Sequence, residues 1–555
     1  MKATKILSSP AVAHICRVAA LSLATTSLGD PLPTQILDPL KLNTNVLNVL
    51  RQNQQEQIRS AASWKVYHDF QFTDRYAESG IVFEHHAVDD AAKTWKPAHY
   101  DHGTAVAVAD VDGDGKLDVY FVNQLGSSTL WRNLGNGKFE DITAAAGVGL
   151  ADKISVGASF ADVDNDGLPD LFVTTIRKGN VLFKNVGQGR FKDVTQESGL
   201  AYIGHSSGAV FFDFDNDGWL DLFVANIGKF TSEEQGKGGF YRAYPDAFTG
   251  HTKPERSEQS LLYRNTGGGK FVEVSKEMGL EHRGWSGDAS FCDLNGDGFP
   301  DLYVLSMQGD DKFYENDHGK RFVEKTAAYF PKTPWGAMGL KFFDYNLDGL
   351  MDLYVTDMHS DMTDTQTAAG KKNLAASFEK KKSDAWCSVE WNDAFLQGAA
   401  NNVFGNAFYQ NKGHGQFSEV SDKIGAETYW PWGISVADLN ADGYEDVFVT
   451  AGMGYPFRYC INNVLLNDSG TRFRDSEYVV GVEPRKDGRI EKVYYTLDAS
   501  GEDKNRDYAY HKKGILGIMG AISSRSSVAF DIDGDGDLDL ITNEMNDHPM
   551  VLISN

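Results

Sequence analysis

ADVDGDGKLDVYFVN, residues 109–123, is an acid-rich turn followed by an alternating apolar run, and it decides the fold because it recurs. ADVDNDGLPDLFVTT begins at Ala161, FDFDNDGWLDLFVAN at Phe212, CDLNGDGFPDLYVLS at Cys292 and FDYNLDGLMDLYVTD at Phe343. ADLNADGYEDVFVTA follows at Ala437 and FDIDGDGDLDLITNE at Phe530. All seven fit D-x-[DN]-x-D-G-x-x-D. Oxygens at positions 1, 3 and 5 of so tight a loop converge on one point, and Gly at position 6 permits the sharp turn. The carbonyl of position 7 adds a further ligand, and Asp at position 9 closes the shell. Hard oxygen donors in a flexible loop suit Ca²⁺, whereas Mg²⁺ demands stricter octahedral geometry. An EF-hand closes with Glu at position 12 between two helices. Here the closing acid is at position 9 and both flanks read as strands, AVAVAD before the first loop and LDVYFVN after it. Asp and Gly also make ordinary turns, but so many repeats with the acidic positions filled point to a strand–calcium loop–strand unit.

The expected ligands, loop by loop, are Asp110, Asp112, Asp114 and Asp118; Asp162, Asp164, Asp166 and Asp170; and Asp213, Asp215, Asp217 and Asp221. Loops 4 to 6 offer Asp293, Asn295, Asp297 and Asp301; Asp344, Asn346, Asp348 and Asp352; and Asp438, Asn440, Asp442 and Asp446. Loop 7 offers Asp531, Asp533, Asp535 and Asp539. Up to seven Ca²⁺ are therefore expected. Carboxylates packed this closely repel one another without a cation, so folding is expected to be linked to metal. Asn at position 3 removes one charge from loops 4, 5 and 6, which points to weaker binding there.

After each loop strand comes a second pattern: STLWRNLGNGKFEDITAAAGV at 128–148, NVLFKNVGQGRFKDVTQESGL at 180–200 and SLLYRNTGGGKFVEVSKEMGL at 260–280. Each reads as strand, N-x-G-type turn, strand and Gly-ended tail. With the two strands around the metal loop this makes four strands per repeat, a propeller blade. The last repeat ends at HPMVLISN, which aligns with a third strand, and FQFTDRYAESGIVF at 70–83 resembles the missing fourth. The expectation is an all-β, seven-bladed β-propeller with four-stranded blades over residues 70–555, closed by an N-terminal strand, which leaves no open edge. An open solenoid is the alternative. Insertions interrupt the ring near 228–258, 357–402 and 474–520. Residues 31–69 read as a linker with a short helical segment, because Leu, Val and Ile recur at helical spacing over 36–62.

These loops resemble FG-GAP or VCBS repeats, the family of integrin-alpha-type calcium propellers. HYDHGTAVAVADVDGDGKLDVYFVN and VAFDIDGDGDLDLITNEMNDHPMVLISN further resemble cartilage acidic protein-like bacterial secreted proteins. The resemblance covers residues from about 70 to 555; many such proteins continue into an ASPIC/UnbV domain, which this sequence does not reach. It implies the fold and calcium strongly and function only weakly.

The 555 residues carry 78 acids against 53 bases, a formal charge of −25. So acidic a chain repels phosphate backbones, which disfavours nucleic acid as a partner. The expected ligand positions of the loops supply 25 carboxylates, equal to the whole formal excess, and seven divalent cations would offset more than half of it. Four Cys (Cys16, Cys292, Cys387 and Cys460) do not make a disulfide scaffold; Cys292 reads as a buried free thiol, and pairing of Cys387 with Cys460 stays open. Residues 1–30 carry Lys2, Lys5 and Arg17, then the apolar run Val18–Leu28, then Gly29, Asp30 and Pro31. That order fits a signal peptide and a secreted or periplasmic protein. No transmembrane segment is expected.

In a four-stranded meander the calcium loops join strands 1 and 2. The insertions at 228–258 and 357–402 join strands 2 and 3, and the one at 474–520 joins one blade to the next. All three therefore project from the face opposite calcium, and inserted loops on a rigid scaffold are where binding tends to reside. The inner strands begin on that face with His102, His205, Trp285 and Trp430, near Trp335 and Trp432. Five residues before each first Asp stand small residues (Ala105, Gly157, Gly208, Gly339, Gly433 and Ser526), with Asp288 the exception. This rim could bind a ligand or simply pack the blades together. His359 lies at an insertion root beside Asp357, Asp361 and Asp364, and His85, His86, His99 and His102 form a second possible metal cluster.

Three functions remain. The first is an exported, calcium-stabilised propeller that binds a protein or carbohydrate ligand through its insertion face, as in cell adhesion. The second is a lyase- or transferase-like propeller enzyme with a His/Trp/Asp funnel, although no nucleophile motif, phosphate loop or haem motif supports it. The third is a structural matrix component.

Overall fold

The computed structural model describes residues 32–38, 44–88, 100, 103–236, 239–244, 247, 253–358, 402–403, 405–453, 461–486, 488–506 and 508–555. The leader at 1–30 with Cys16, His99, His102, His359, Asp361, Asp364, Cys387, Cys460 and most of the 357–402 insertion lie outside the described residues.

The protein is all-β and propeller-like. Among the described residues are seven four-stranded antiparallel sheets. Their first strands are Val106–Ala109, Ser155–Ala161, Ser206–Phe212, Ala289–Cys292, Ala337–Phe343, Pro431–Ala437 and Ser524–Phe530. Each runs into an acidic loop, and each second strand begins on the Asp at position 9, as in Asp118–Phe121 and Asp221–Asn226. First strands of successive sheets touch one another, and Ser524–Phe530 of the seventh touches Val106–Ala109 of the first. In the seventh sheet the fourth strand is Thr73–Asp74, which pairs antiparallel with Leu552 and Ile553.

The alternation that builds these strands also fills the space between sheets. Tyr120, Val122 and Leu130 of the first sheet pack on Leu171, Val173, Val181 and Phe183 of the second. Ile81 and Phe83 pack with Val119 and Phe121 of the first sheet and Ile541 and Val551 of the seventh. Each such large side chain contributes about 1.5–3 kcal/mol by leaving water. The rim is tied by the Gly that ends most tails, the fourth sheet's tail ending on Phe330 instead. Gly199 is left-handed (φ +87°), and a side chain there would meet Phe271 O of the next sheet at 2.4 Å. Gly80 stands likewise 3.0 Å from Phe139 O.

Close approach near the centre explains the small residues of the inner strands. A Cβ on Gly157 would lie 2.6 Å from Ser207 O, one on Gly339 2.5 Å from Trp432 O, and one on Gly433 2.8 Å from Arg525 O. One on Gly208 would lie 2.3 Å from Asp288 Oδ1. The same stretches carry register shifts in five sheets, between Ser155/Ala158, Ser206/Ala209, Ala337/Gly339, Pro431/Ile434 and Ser524/Ser526. Such bulges bend a strand and sharpen its twist.

The N-terminal segment differs in part from its helical spacing. Thr44–Ala61 is a helix without Gly or Pro, whose Leu50 packs among Trp430, Trp432, Met453 and Ile461 and whose Gln57 Nε2 donates to Glu477 Oε1 at 2.8 Å. Gln35–Leu37, by contrast, is a strand parallel to Leu516–Ile518. The hairpin of Glu491–Asp498 and Ile515–Ala521 within the 474–520 insertion offers it a free edge. Local spacing cannot reveal such a distant partner.

One buried group sets an acid limit. His282 Nδ1 lies 2.9 Å from Tyr314 Oη and Nε2 2.8 Å from Ser286 Oγ, and burial, helped by Lys312, pushes its pKa down to about 4. A lowered histidine favours the neutral fold. Its contribution is complete above about pH 6.5, where the unfolded side chain is neutral too, and is lost as pH falls towards 4. The loss amounts to about 3 kcal/mol. The urea midpoint of His282→Gln should therefore fall less steeply between pH 6.5 and 4 than that of the unsubstituted protein.

Candidate metal centres

The seven loops share one backbone scaffold. In loop 1, Asp110 Oδ1 accepts the N–H groups of Gly113 (2.8 Å) and Asp114 (3.1 Å), and Oδ2 accepts that of Gly115 (2.8 Å). The equivalents at Asp162, Asp213, Asp293, Asp344, Asp438 and Asp531 also receive the N–H of the Gly at position 6. Position 4 is left-handed in all of them. It suits Gly113 and Asn165, and it holds Leu347 (φ +56°) and Ala441 (φ +56°) in a region such side chains seldom occupy.

The Asp at position 9 is the hub. Asp118, Asp170, Asp221, Asp301, Asp352, Asp446 and Asp539 are all buried. One oxygen accepts the N–H of position 2, as Asp221 Oδ2 does from Phe214 at 3.1 Å. The other accepts an N–H from the end of the third strand: Asn133, Asn185, Asn265, Asn316, Asn411, Asn467 or Ser554, at 2.7–2.8 Å. Burial raises these carboxyls, to about 6 at Asp118, Asp170 and Asp539 and to about 7 at Asp221, Asp301 and Asp352, with neighbouring acids adding to the rise. A raised acid stabilises the fold below its unfolded value near 4 and ceases to do so as pH rises through 6–7. Ionised at neutral pH, these groups burden the fold unless a cation compensates them.

The third-strand Asn is the residue that sequence reasoning missed. Its Nδ2 donates to the carbonyl at position 2 of the preceding sheet's loop: Asn185 to Val111 O (2.9 Å), Asn265 to Val163 O (2.8 Å), Asn316 to Phe214 O (2.8 Å) and Asn467 to Tyr345 O (2.8 Å). Asn133 donates to Ile532 O at 3.1 Å, which joins the first sheet to the seventh. Its signal was its recurrence in the N-x-G turn, where it had a sufficient local explanation.

Whether a cation fits is decided at position 3. In loops 1, 2, 3 and 7 one carboxylate oxygen of Asp112, Asp164, Asp215 and Asp533 (Oδ1 in each) is buried without a hydrogen-bond partner. In the same loops Asp110, Asp112 and Asp118; Asp162, Asp164 and Asp170; Asp213, Asp215 and Asp221; and Asp531, Asp533 and Asp535 bring oxygens within 4.8 Å of one another. A buried, unpaired carboxylate oxygen is costly, and all-oxygen donors fit a hard cation such as Ca²⁺. Loops 4, 5 and 6 solve the problem internally. Asn295, Asn346 and Asn440 each donate Nδ2 to the Asp at position 5, at 3.2, 3.0 and 3.2 Å.

The described His and Trp residues of the rim are buried. His205 (2% exposed) holds Glu258 Oε1 2.8 Å from Nδ1 and Thr231 Oγ1 2.7 Å from Nε2, which ties the first strand to the 228–258 insertion. Trp285 packs among Tyr100, Phe230, Phe240 and Met307. The backbone N–H of Trp335 donates to Asp357 Oδ2 at 3.2 Å. Trp430 and Trp432 pack on the N-terminal helix, and Arg525 stacks 3.8 Å over the Trp432 ring. Alternation told which end these side chains occupy but not that inserted segments cover them. Asp288 is raised by burial and accepts the Ala289 N–H at 2.9 Å. His85 is fully buried, with its pKa held well below the usual value. Cys292 is a free thiol, half-buried rather than fully enclosed, and burial pushes it up to about 12.

An all-β, propeller-like array of acid-loop repeats is the class that this geometry defines. The chain belongs to the FG-GAP repeat family: the FG-GAP-like repeat matches residues 110–173, 162–224, 244–304, 293–355 and 390–449, and the FG-GAP repeat matches 430–469, together more than half of the chain. It is similar to cartilage acidic protein 1 of Mus musculus, 24% identical over 257 residues that cover 45% of this chain and 36% of that protein. It is also similar to cartilage acidic protein 1 of Homo sapiens, 30% identical over 150 residues, 25% of this chain and 22% of that protein. The chain thus spans about a third or less of the length of these relatives. Among solved structures, BBS1N in complex with ARL6DN, soaked with lead, matches with a TM-score of 0.40 and 9% identity over 87% of this chain and 96% of that one. No described helix is long and apolar enough to cross a membrane.

Proposed function

We propose that this protein is an exported, calcium-stabilised, seven-bladed β-propeller over residues 70–555 that binds a protein or glycan through its insertion-bearing face. The observation that carries the calcium reading is the buried, unpartnered oxygen at position 3 of loops 1, 2, 3 and 7. A divalent ion supplies the missing partner there and compensates the buried Asp at position 9. The ligand reading rests on the strand order. The insertions leave the sheets on the side away from the acidic loops, and His205, Trp285 and Trp432 brace those segments against the inner strands. Export is inferred from the order of residues 1–31 and fits calcium levels outside the cytosol.

Equilibrium dialysis with ⁴⁵Ca²⁺ tests the metal assignment: four sites of higher affinity are expected, with up to three weaker ones. Equal affinity across all seven would contradict the role given to position 3. Glycan and protein arrays test the ligand assignment, and binding must disappear when 228–258 is replaced by a short turn in a variant that still melts cooperatively. Binding that survives every insertion swap would place the site elsewhere.

A further inference from the structure

The acidic loops differ in what opposes their charge. In loop 1, Arg132 Nε lies 2.8 Å from Asp112 Oδ2. In loop 2, Lys184 pairs with Asp164 and lies 3.1 Å from Asp166 Oδ2. In loop 3, Arg264 Nε lies 3.0 Å from Asp215 Oδ2. All three stand immediately before the third-strand Asn, so the strand that carries the inter-sheet bond also delivers a cation to its own loop. Loops 4, 5 and 6 have Asn at position 3, and there the same place on the third strand holds Glu315, Gln410 and Leu466. Charge at position 3 and counter-charge on the third strand thus vary together within one chain.

Loop 7 breaks the rule. It has Asp533 at position 3 and a further acid, Asp537, at position 7, yet Ile553 occupies the counter-ion place. Among the described residues no basic side chain pairs with Asp531, Asp533, Asp535, Asp537 or Asp539. Loop 7 also sits where the first and seventh sheets meet. The Asn136 N–H donates to Asp533 O at 3.1 Å, and Asn133 Nδ2 donates to Ile532 O at 3.1 Å.

We propose that Arg132, Lys184 and Arg264 are tethered counter-ions that keep loops 1 to 3 formed without metal, and that loop 7, having none, is where bound calcium holds the ring's closing seam. This rests on the calcium reading above. A cation fixed beside Asp112, Asp164 or Asp215 relieves the mutual repulsion of the loop and also opposes an incoming divalent ion. Its presence therefore lowers both metal dependence and metal affinity. Loop 7 is left with five acids whose repulsion only a bound ion relieves, and its backbone carbonyls are what the first sheet grips.

Hydrogen exchange of the full chain in excess Ca²⁺ and in EGTA, read by mass spectrometry, tests this. Protection in EGTA should fall first at 531–539 and 133–139, while 162–170 and 213–221 stay protected. Lys184→Met and Arg264→Met should lose protection at their own loops in EGTA and raise calcium affinity there by roughly two- to fivefold. Ile553→Lys, placed as Lys184 is, should protect loop 7 in EGTA. Since Ile553 lies in a core cluster, Asp533→Asn, which copies loops 4 to 6, should give the same protection without disturbing packing. Even loss of protection across all loops, or unchanged exchange at 531–539 in Asp533→Asn, overturns the proposal while calcium binding stands. If EGTA alters exchange at no loop, the calcium reading itself falls.

Discussion

Chelation should lower the melting temperature of this protein by more than about 10 °C, with excess Ca²⁺ restoring it fully and Mg²⁺ only in part. Each occupied site present at 100–1,000 times its dissociation constant contributes roughly 3–4 kcal/mol, and four loops leave an acidic oxygen buried without a partner. The buried Asp at position 9 adds to the effect. With its pKa raised to about 6–7 by burial, it is ionised at pH 7.5 and unfavourable there until metal arrives. Part of any salt effect is simple screening of a chain with a formal charge of −25. The comparison should therefore be EGTA against Ca²⁺ at matched ionic strength. Calorimetry that shows the same melting temperature in both would end the structural-calcium assignment.

The second large effect should come from a residue that touches no metal. Asn265 is fully buried. Its Nδ2 donates to Val163 O of the neighbouring sheet at 2.8 Å and to Leu220 O at 3.1 Å, and its Oδ1 accepts the Gly267 N–H at 3.0 Å. Asn265→Leu keeps the volume but leaves the buried Val163 carbonyl, and the part-buried Leu220 carbonyl and Gly267 N–H, without their partner. At about 1–3 kcal/mol for each unmet group, the loss should reach roughly 3–5 kcal/mol and persist in both Ca²⁺ and EGTA. Asn411 provides the comparison, because its Nδ2 bonds Met351 O of its own sheet at 3.0 Å. Asn411→Leu should cost less. Urea midpoints at constant m-value decide the matter, and equal losses at the two positions would deny the Asn a role between sheets.

How much of this was legible in the sequence depends on the range of each interaction. The acidic loop is local: Asp110 bonds N–H groups three to five residues ahead, so D-x-D-x-D-G spacing contains its geometry. The four-strand unit follows from period-two alternation between such turns. The Asn bonds are not local, since Asn185 reaches across 74 residues and Asn133 across 399. Nothing near either residue marks its partner. The rim shows the same limit from the other side. His205 stands directly before the strand Ser206–Phe212, as its spacing from Asp213 implies, but its burial depends on Thr231 and Glu258 in an inserted segment that follows no repeat. The strand at Gln35–Leu37 likewise depends on an edge about 480 residues away that helical spacing could not anticipate.

Thr73–Asp74 completes the sheet built by Leu552 and Ile553, and this has a consequence for how the protein is made. The ribosome delivers Asp74 478 residues before its partner Leu552 (552 − 74). At 5–20 residues per second the early strand waits roughly half a minute to a minute and a half for its partner. Over that interval Phe70 and Phe72 lack the residues from Leu439 onward that will enclose them, and Ile81 and Phe83 have Val119 and Phe121 but not yet Ile541 and Val551. The equilibrium penalty is modest, because joining distant ends grows only with the logarithm of their separation. The exposure in time is not. The nascent chain must either shield its early strand on a chaperone or hold it against the first sheets as they form, until Leu552 and Ile553 arrive to pair with it.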